Sequence, residues 1–123
     1  MSEKKIEKRV RRHAAELMTE KGYISPVDLL IKMERLTPKQ MENWRFKRIS
    51  YLEKVTVGNL AKLNHTLKTL KKVAKEQNLK PSTTVYKSWG KGPKKRLRFS
   101  KSDSPYMEEL YSTHYVRAKS KGK

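Results

Sequence analysis

The chain has 123 residues, with 31 Lys or Arg against 12 Asp or Glu, which gives a formal charge of +19 and a pI near 10.2. That length implies one domain, and 35% apolar residues suffice for a small core if they fall in register. The absence of cysteine excludes disulfides, thiol catalysis and thiolate metal sites. With no stretch near the ~20 apolar residues that span a bilayer and no apolar leader, a non-membrane, cytoplasmic protein is expected.

Residues 3–21 carry Ile6, Val10, Ala14 and Leu17 at steps of four, four and three, one apolar stripe on a helix, with Gly22 as its stop. Lys4, Lys5, Lys8, Arg9, Arg11 and Arg12 spread over the rest of that helix, either as a solvated face or as phosphate contacts. Two further starts share one mechanism. Ser25-Pro-Val-Asp28 and Thr37-Pro-Lys-Gln40 each offer a hydroxyl cap and a proline at the first helical position. They predict short helices near 26–35 and 38–47, joined by a tight corner at 35–38. With the first helix they form the outline of a helix-turn-helix unit. In Trp44-Arg-Phe-Lys-Arg48 cations flank two aromatics, so Arg45 and Arg48 are candidate phosphate ligands, while Trp44 and Phe46 are equally read as core.

Leu60, Leu63, Leu67, Leu70 and Ala74 follow steps of three, four, three and four, the clearest period in the chain, and predict a long helix over 57–77. Lys68, Lys71, Lys72 and Lys75 lie off that stripe as a basic flank. Beyond Asn78 the pattern becomes extended. Thr83–Trp89 is rich in strand formers, Gly90-Lys-Gly-Pro93 supplies a turn, and Lys95–Ser100 alternates, which predicts a β-hairpin at about 83–100. In that hairpin Val85 shares a face with Trp89 and Leu97 with Phe99, leaving Tyr86, Arg96, Arg98 and the turn lysines on the other face or the rim. Ser104-Pro105 opens a last helix carrying Met107, Leu110, Tyr111 and His114 on one side, and residues 117–123 read as a disordered basic tail behind a single domain at 1–116.

From Gln77 to Ser102 there are eight Lys or Arg and no Asp or Glu, with aromatics between them. Such a surface suits a phosphate backbone with accessible bases. Lys87, Lys91, Lys94, Lys95, Arg96, Arg98 and Lys101 are the candidate phosphate ligands of the hairpin, joined by Lys68, Lys72 and Lys75 of the long helix. Tyr86 and Trp89 serve bases or structural support. Trp89 is core if its indole packs under the hairpin and a stacking platform if it stands exposed beside Lys87 and Lys91.

Three rival readings use the same residues. A small basic ribonuclease would gather Tyr86, Arg96, Arg98 and His114 over a scissile phosphate. A protein-interaction or ribosome-associated module would address an acidic surface through Trp44, Tyr51 and the leucine stripe. A nucleotide-binding loop at Gly90-Lys-Gly-Pro-Lys94 lacks the glycine spacing and the Lys-Ser/Thr ending. The widely separated His13, His65 and His114 suggest no metal site, and no cofactor is implied.

The stretches Trp44-Arg-Phe-Lys-Arg-Ile-Ser-Tyr-Leu-Glu53 and Val85–Lys101 resemble parts of a small, functionally uncharacterised bacterial protein family. The resemblance covers most of residues 23–116 and implies a free-standing bacterial cytoplasmic protein, with no catalytic or binding residue to carry over. Helices followed by a basic hairpin are also similar in outline to winged-helix DNA-binding proteins, from which the long helix and the C-terminal helix depart. The expected fold is therefore mainly α, a compact bundle of four to five helices with one basic β-hairpin. The expected activity is non-enzymatic binding of DNA or RNA.

Overall fold

A computed structural model describes residues 3–117. In chain order these form α1 (Glu3–Lys21), β1 (Tyr23–Ile24), α2 (Pro26–Lys32), α3 (Pro38–Arg45), a 3-10 turn (Leu52–Val55), α4 (Leu60–Glu76), β2 (Leu79–Thr83), α5 (Pro105–Ser112) and β3 (Thr113–Arg117). The fold is mainly helical, as the sequence patterning predicts, with a small antiparallel sheet of order β1-β3-β2. Among the described residues no helix is long and apolar enough to cross a membrane.

The helix starts follow from local chemistry. Ser25 Oγ accepts from the Asp28 N–H at 3.4 Å and Thr37 Oγ1 from the Gln40 N–H at 3.1 Å, each with proline in the first turn. Asn59 caps α4 by accepting from the Lys62 N–H at 2.8 Å, so the long helix begins at Leu60, where its apolar period starts, and not at the expected 57. Leu60 itself is 56% exposed and drops out of the buried stripe.

Two clusters of buried side chains make up the core. One joins Ile6, Val10, Ala14 and Leu17 of α1 to Leu70, Val73 and Ala74 of α4 and to Tyr115 of β3. The other gathers Trp44, Leu52, Leu63, Leu67, Leu97, Phe99 and Tyr111. Helix α4 supplies both clusters, so it is the spine on which the other elements pack. Each fully buried leucine there contributes about 1.5–3 kcal/mol.

Three expectations are corrected. The hairpin at 83–100 keeps its shape, but its ladder shrinks to one bridge, Lys87 opposite Arg96, flanked by Ser88 N–H to Lys95 O at 2.8 Å and Leu97 N–H to Tyr86 O at 2.8 Å. Competing acceptors explain this. The Glu108 carboxylate takes the Phe99 and Ser100 N–H groups and the Ser100 hydroxyl, and Arg45 O takes the Trp89 N–H.

Second, the first arm is turned over relative to the expected facing. Tyr86 points inward with Leu97 and Phe99, while Val85, Lys87 and Trp89 point out. The Tyr86 ring packs against Trp44 and Phe99 at 5.6 and 5.1 Å, and its hydroxyl meets Ser25 Oγ at 3.1 Å and His114 Nε2 at 2.7 Å, so tertiary partners fix which residues of the arm face in.

Third, the last helix stops at Ser112, and His114 belongs to β3, paired with Ser82. Arg117 closes that strand and so belongs to the domain; the basic tail expected beyond it, at 118–123, lies outside the described residues.

Candidate nucleic-acid interface

The end of α3 sets out the first part of the site. The Lys47 N–H donates to Trp44 O at 2.9 Å and the Arg48 N–H to Asn43 O at 2.9 Å, with Lys47 left-handed at φ 62°. This paired closure turns the chain sharply after Phe46, and Phe46, Lys47 and Arg48 all stand exposed. The closure leaves the Arg45 carbonyl available, and the Trp89 N–H donates to it at 2.7 Å. One main-chain bond thus docks the tip of the loop at 84–100 onto the C-terminal end of α3.

Around that bond three rings and two guanidinium groups meet. Phe46 and Trp89 lie edge to face at 5.6 Å and 80°, 37% and 42% exposed, and belong to neither core cluster. The Arg45 guanidinium lies 4.6 Å over the Trp89 ring and 5.2 Å over Tyr86, and Arg48 lies 4.9 Å over Phe46. Arg45 Nε is buried without a hydrogen-bond partner, and desolvation lowers the guanidinium pKa from its ordinary value, opposed by Tyr86. Gly90, at φ 104°, turns the loop beside Phe46 in a conformation side-chain-bearing residues rarely adopt.

The remaining loop cations surround this ledge. Lys87 and Arg96 are opposed in the bridge position without mutual hydrogen bonds, the arrangement in which antiparallel strands approach to about 4.5 Å between Cα atoms. Like charges so placed repel and destabilise the pairing. Among the described residues the side chains of Lys87, Arg96, Lys91 and Lys95 make no ion pair or hydrogen bond, although the Lys95 N–H donates to Ser88 Oγ at 3.0 Å.

Most of the acids that could neutralise them are committed elsewhere. Glu7, Glu16, Glu20, Asp28, Glu42 and Glu76 pair with cations of α1, α2 and α3. Glu53 accepts from the Tyr111 hydroxyl at 2.7 Å and the Lys101 N–H at 2.9 Å, while Glu108 serves the backbone at Phe99 and Ser100. Burial and the Glu53 carboxylate hold the Tyr111 hydroxyl well above the usual tyrosine range.

The sequence-selected residues therefore divide. Arg45, Arg48 and Trp89 come together at the corner with Phe46, and Lys87, Lys91, Lys95 and Arg96 stand exposed on the loop that carries Trp89. Lys94 is exposed there too, but its ammonium donates to Gly90 O and closes the turn. Arg98 lies over Tyr51 at 5.4 Å and donates to Ser100 O at 2.8 Å and to Lys101 O, so it braces the chain. Tyr86 offers structural support only, and Lys101 lies past the brace with its side chain exposed.

Lys68, Lys72 and Lys75 are exposed along α4. Lys68 lies 6.0 Å over Tyr106, and Tyr106 shares with Arg96 and Arg98 a cleft of about 850 Å³ that Asp103, Glu108 and Glu109 also line, so the cleft beside this ring is of mixed charge. Phe46 and Lys47 are contact candidates that sequence reasoning passed over. The signal was their place in Trp44-Arg-Phe-Lys-Arg48, where the buried Trp44 hid the opposite fate of Phe46.

The ribonuclease constellation does not form one surface. Tyr86 and His114 are bonded to each other at 2.7 Å inside the fold, whereas Arg96 points out and Arg98 is engaged with carbonyls. Among the described residues no three His, Asp or Glu side chains gather as metal ligands. Comparison with known proteins found no matching family model, no matching curated protein and no matching solved structure.

Proposed function

We propose that the protein binds nucleic acid without transforming it, holding the phosphate backbone on the loop at 84–100 and the adjoining end of α3. The opposed Lys87 and Arg96, unpaired with any acid among the described residues and accompanied by Lys91 and Lys95, carry this reading. An arrangement that costs pairing energy in isolation becomes favourable when a phosphate sits between the cations and counterions are released.

Fluorescence anisotropy with a labelled oligonucleotide across a salt series tests the reading. Replacing Lys87, Lys95 and Arg96 by Ala weakens binding at low salt and lowers the slope of log K against log salt by about 0.7–0.9 per lost phosphate contact. An unchanged slope in that variant would remove the loop from the interface.

One observation favours a second reading, an acidic protein or ribosomal partner. A groove of about 720 Å³ runs between α4, β2 and α5, with Lys71, Lys75 and Lys80 around Leu79, Pro81 and Leu110. The interface expected through Trp44 and the leucine stripe does not serve it, because Trp44, Leu63, Leu67 and Leu70 are buried. On an oligonucleotide short enough to occupy the loop alone, substituting Lys71, Lys75 and Lys80 with Glu separates the two readings, since it abolishes an acidic-partner interaction and leaves that binding in place.

A further inference from the structure

Cations alone suffice to hold phosphates, yet two large rings stand exposed among them. Phe46 and Trp89 meet at 80°, so they form two walls of a corner and not one continuous surface. A guanidinium lies over each ring, Arg45 at 4.6 Å from the Trp89 centroid and Arg48 at 4.9 Å from that of Phe46. These stacks hold the side chains in place before any ligand arrives. The Trp89 N–H bond to Arg45 O fixes the backbone beneath them.

A corner of aromatic walls on the loop that carries the exposed Lys87, Lys91 and Lys95 is complementary to one flat heteroaromatic ring carried on a phosphate chain. In a duplex, neighbouring pairs cover both faces of each internal base, and exposing one requires unstacking it. An unpaired base has its face free, and stacking on protein aromatics is tolerant of sequence because every base has such a face.

We propose that the corner of Trp89 and Phe46 takes one unpaired base, so that the partner is single-stranded nucleic acid whose flanking phosphates lie on the loop cations. This rests on the nucleic-acid reading above.

The test measures anisotropy with four ligands of equal length at one ionic strength: single-stranded DNA, single-stranded RNA of the same sequence, an abasic strand and a blunt duplex. The wild-type protein binds a base-bearing single strand at least about tenfold more tightly than the abasic strand or the duplex. Trp89→Ala brings that strand to the level of the abasic one, while Trp89→Phe retains most of the difference. A gap between the DNA and RNA arms assigns the sugar.

Equal affinity for base-bearing and abasic strands overturns the inference and spares the backbone reading, as does a preference for the duplex. Failure to bind all four ligands at low salt overturns both. The abasic comparison uses the wild-type protein, so it decides between these outcomes even if Trp89→Ala disturbs the loop.

Discussion

Arg45 holds Trp89 twice, once through its carbonyl, which accepts the Trp89 N–H at 2.7 Å, and once through its guanidinium, 4.6 Å over the indole. Two segments more than forty positions apart in the chain are joined there by a bond that side-chain substitution leaves in place. The cationic loop is thereby anchored at its tip as well as at its base, where Glu108 binds the Phe99 and Ser100 amides. Anchoring at both ends reduces the ordering cost that a free loop would meet on binding a ligand.

The Lys87–Arg96 opposition makes stability and binding move in opposite directions. Lys87→Glu converts a repulsive cross-strand pair into an attractive one, worth about 0.2–1 kcal/mol. The variant should unfold at a slightly higher denaturant concentration while its oligonucleotide affinity falls at low salt. Thermal and chemical unfolding measured beside anisotropy on the same preparation check this; a loss of stability together with affinity would mean that the repulsion between Lys87 and Arg96 does not weigh on the fold.

Lys47 offers a related experiment at the end of α3. A non-glycine residue held at φ 62° costs on the order of 1–3 kcal/mol. Lys47→Gly relieves that strain and should raise stability, by ~1 kcal/mol, while removing one cation beside Phe46. Calorimetry reads the first effect, and a shallower salt slope of oligonucleotide binding reads the second.

Trp44 is the aromatic whose loss should be felt throughout the fold. Its ring is fully buried against Phe99 and Tyr86, and its indole N–H donates to Arg98 O at 2.8 Å. Trp44→Ala should cost about 3–5 kcal/mol, as large-to-small changes of buried aromatics do. Trp44→Phe keeps most of the apolar contact but leaves the Arg98 carbonyl with the Leu52 N–H, at 3.2 Å, as its remaining donor, so the lost bond costs about 0.5–1.5 kcal/mol. Urea unfolding of both variants checks the order, and near-equal midpoints for Trp44→Phe and the wild type would rule out the hydrogen bond as a contributor.

Trp44 and Trp89 also mark where the sequence was legible and where it was not. Caps and periods are local, so the Ser25-Pro26 and Thr37-Pro38 starts, the α1 stripe and the α4 spine could be read directly. The sheet could not, because β2 and β3 pair across as many as 38 positions, Leu79 with Arg117, and β1 is only Tyr23–Ile24. The face of the loop was misjudged because alternation gives two answers. Which one holds is decided by Ser25 and His114, distant residues that accept Tyr86 into the interior. Composition marked the cationic loop correctly as a charged surface, but it carried no information on which cations were already spent, as Arg98 and Lys94 are.

The same inward turn of Tyr86 makes stability depend on pH in a calculable direction. Burial lowers the His114 pKa from its ordinary 6.5, with Asp28 opposing, and burial pushes the Tyr86 hydroxyl up to about 12, with its Ser25 hydrogen bond opposing. With both neutral, the Tyr86 hydroxyl and His114 Nε2 share a hydrogen bond at 2.7 Å, while the His114 ring stacks on Tyr23 at 5.7 Å. Between its folded pKa and 6.5 the imidazole binds more protons when the chain is unfolded, so unfolding free energy rises with pH across that window. The His114 contribution is therefore complete above about pH 6.5 and is lost as the pH falls toward the folded value. Tyr86 gives the opposite limb. Its raised pKa contributes stability that is present below about pH 10 and lost as the pH rises toward 12. Denaturant midpoints from roughly pH 5 to 8 should climb more steeply for the wild type than for His114→Gln, which cannot titrate. Parallel profiles for the two proteins would show that the Tyr86–His114 bond does not govern the acid limb in that range.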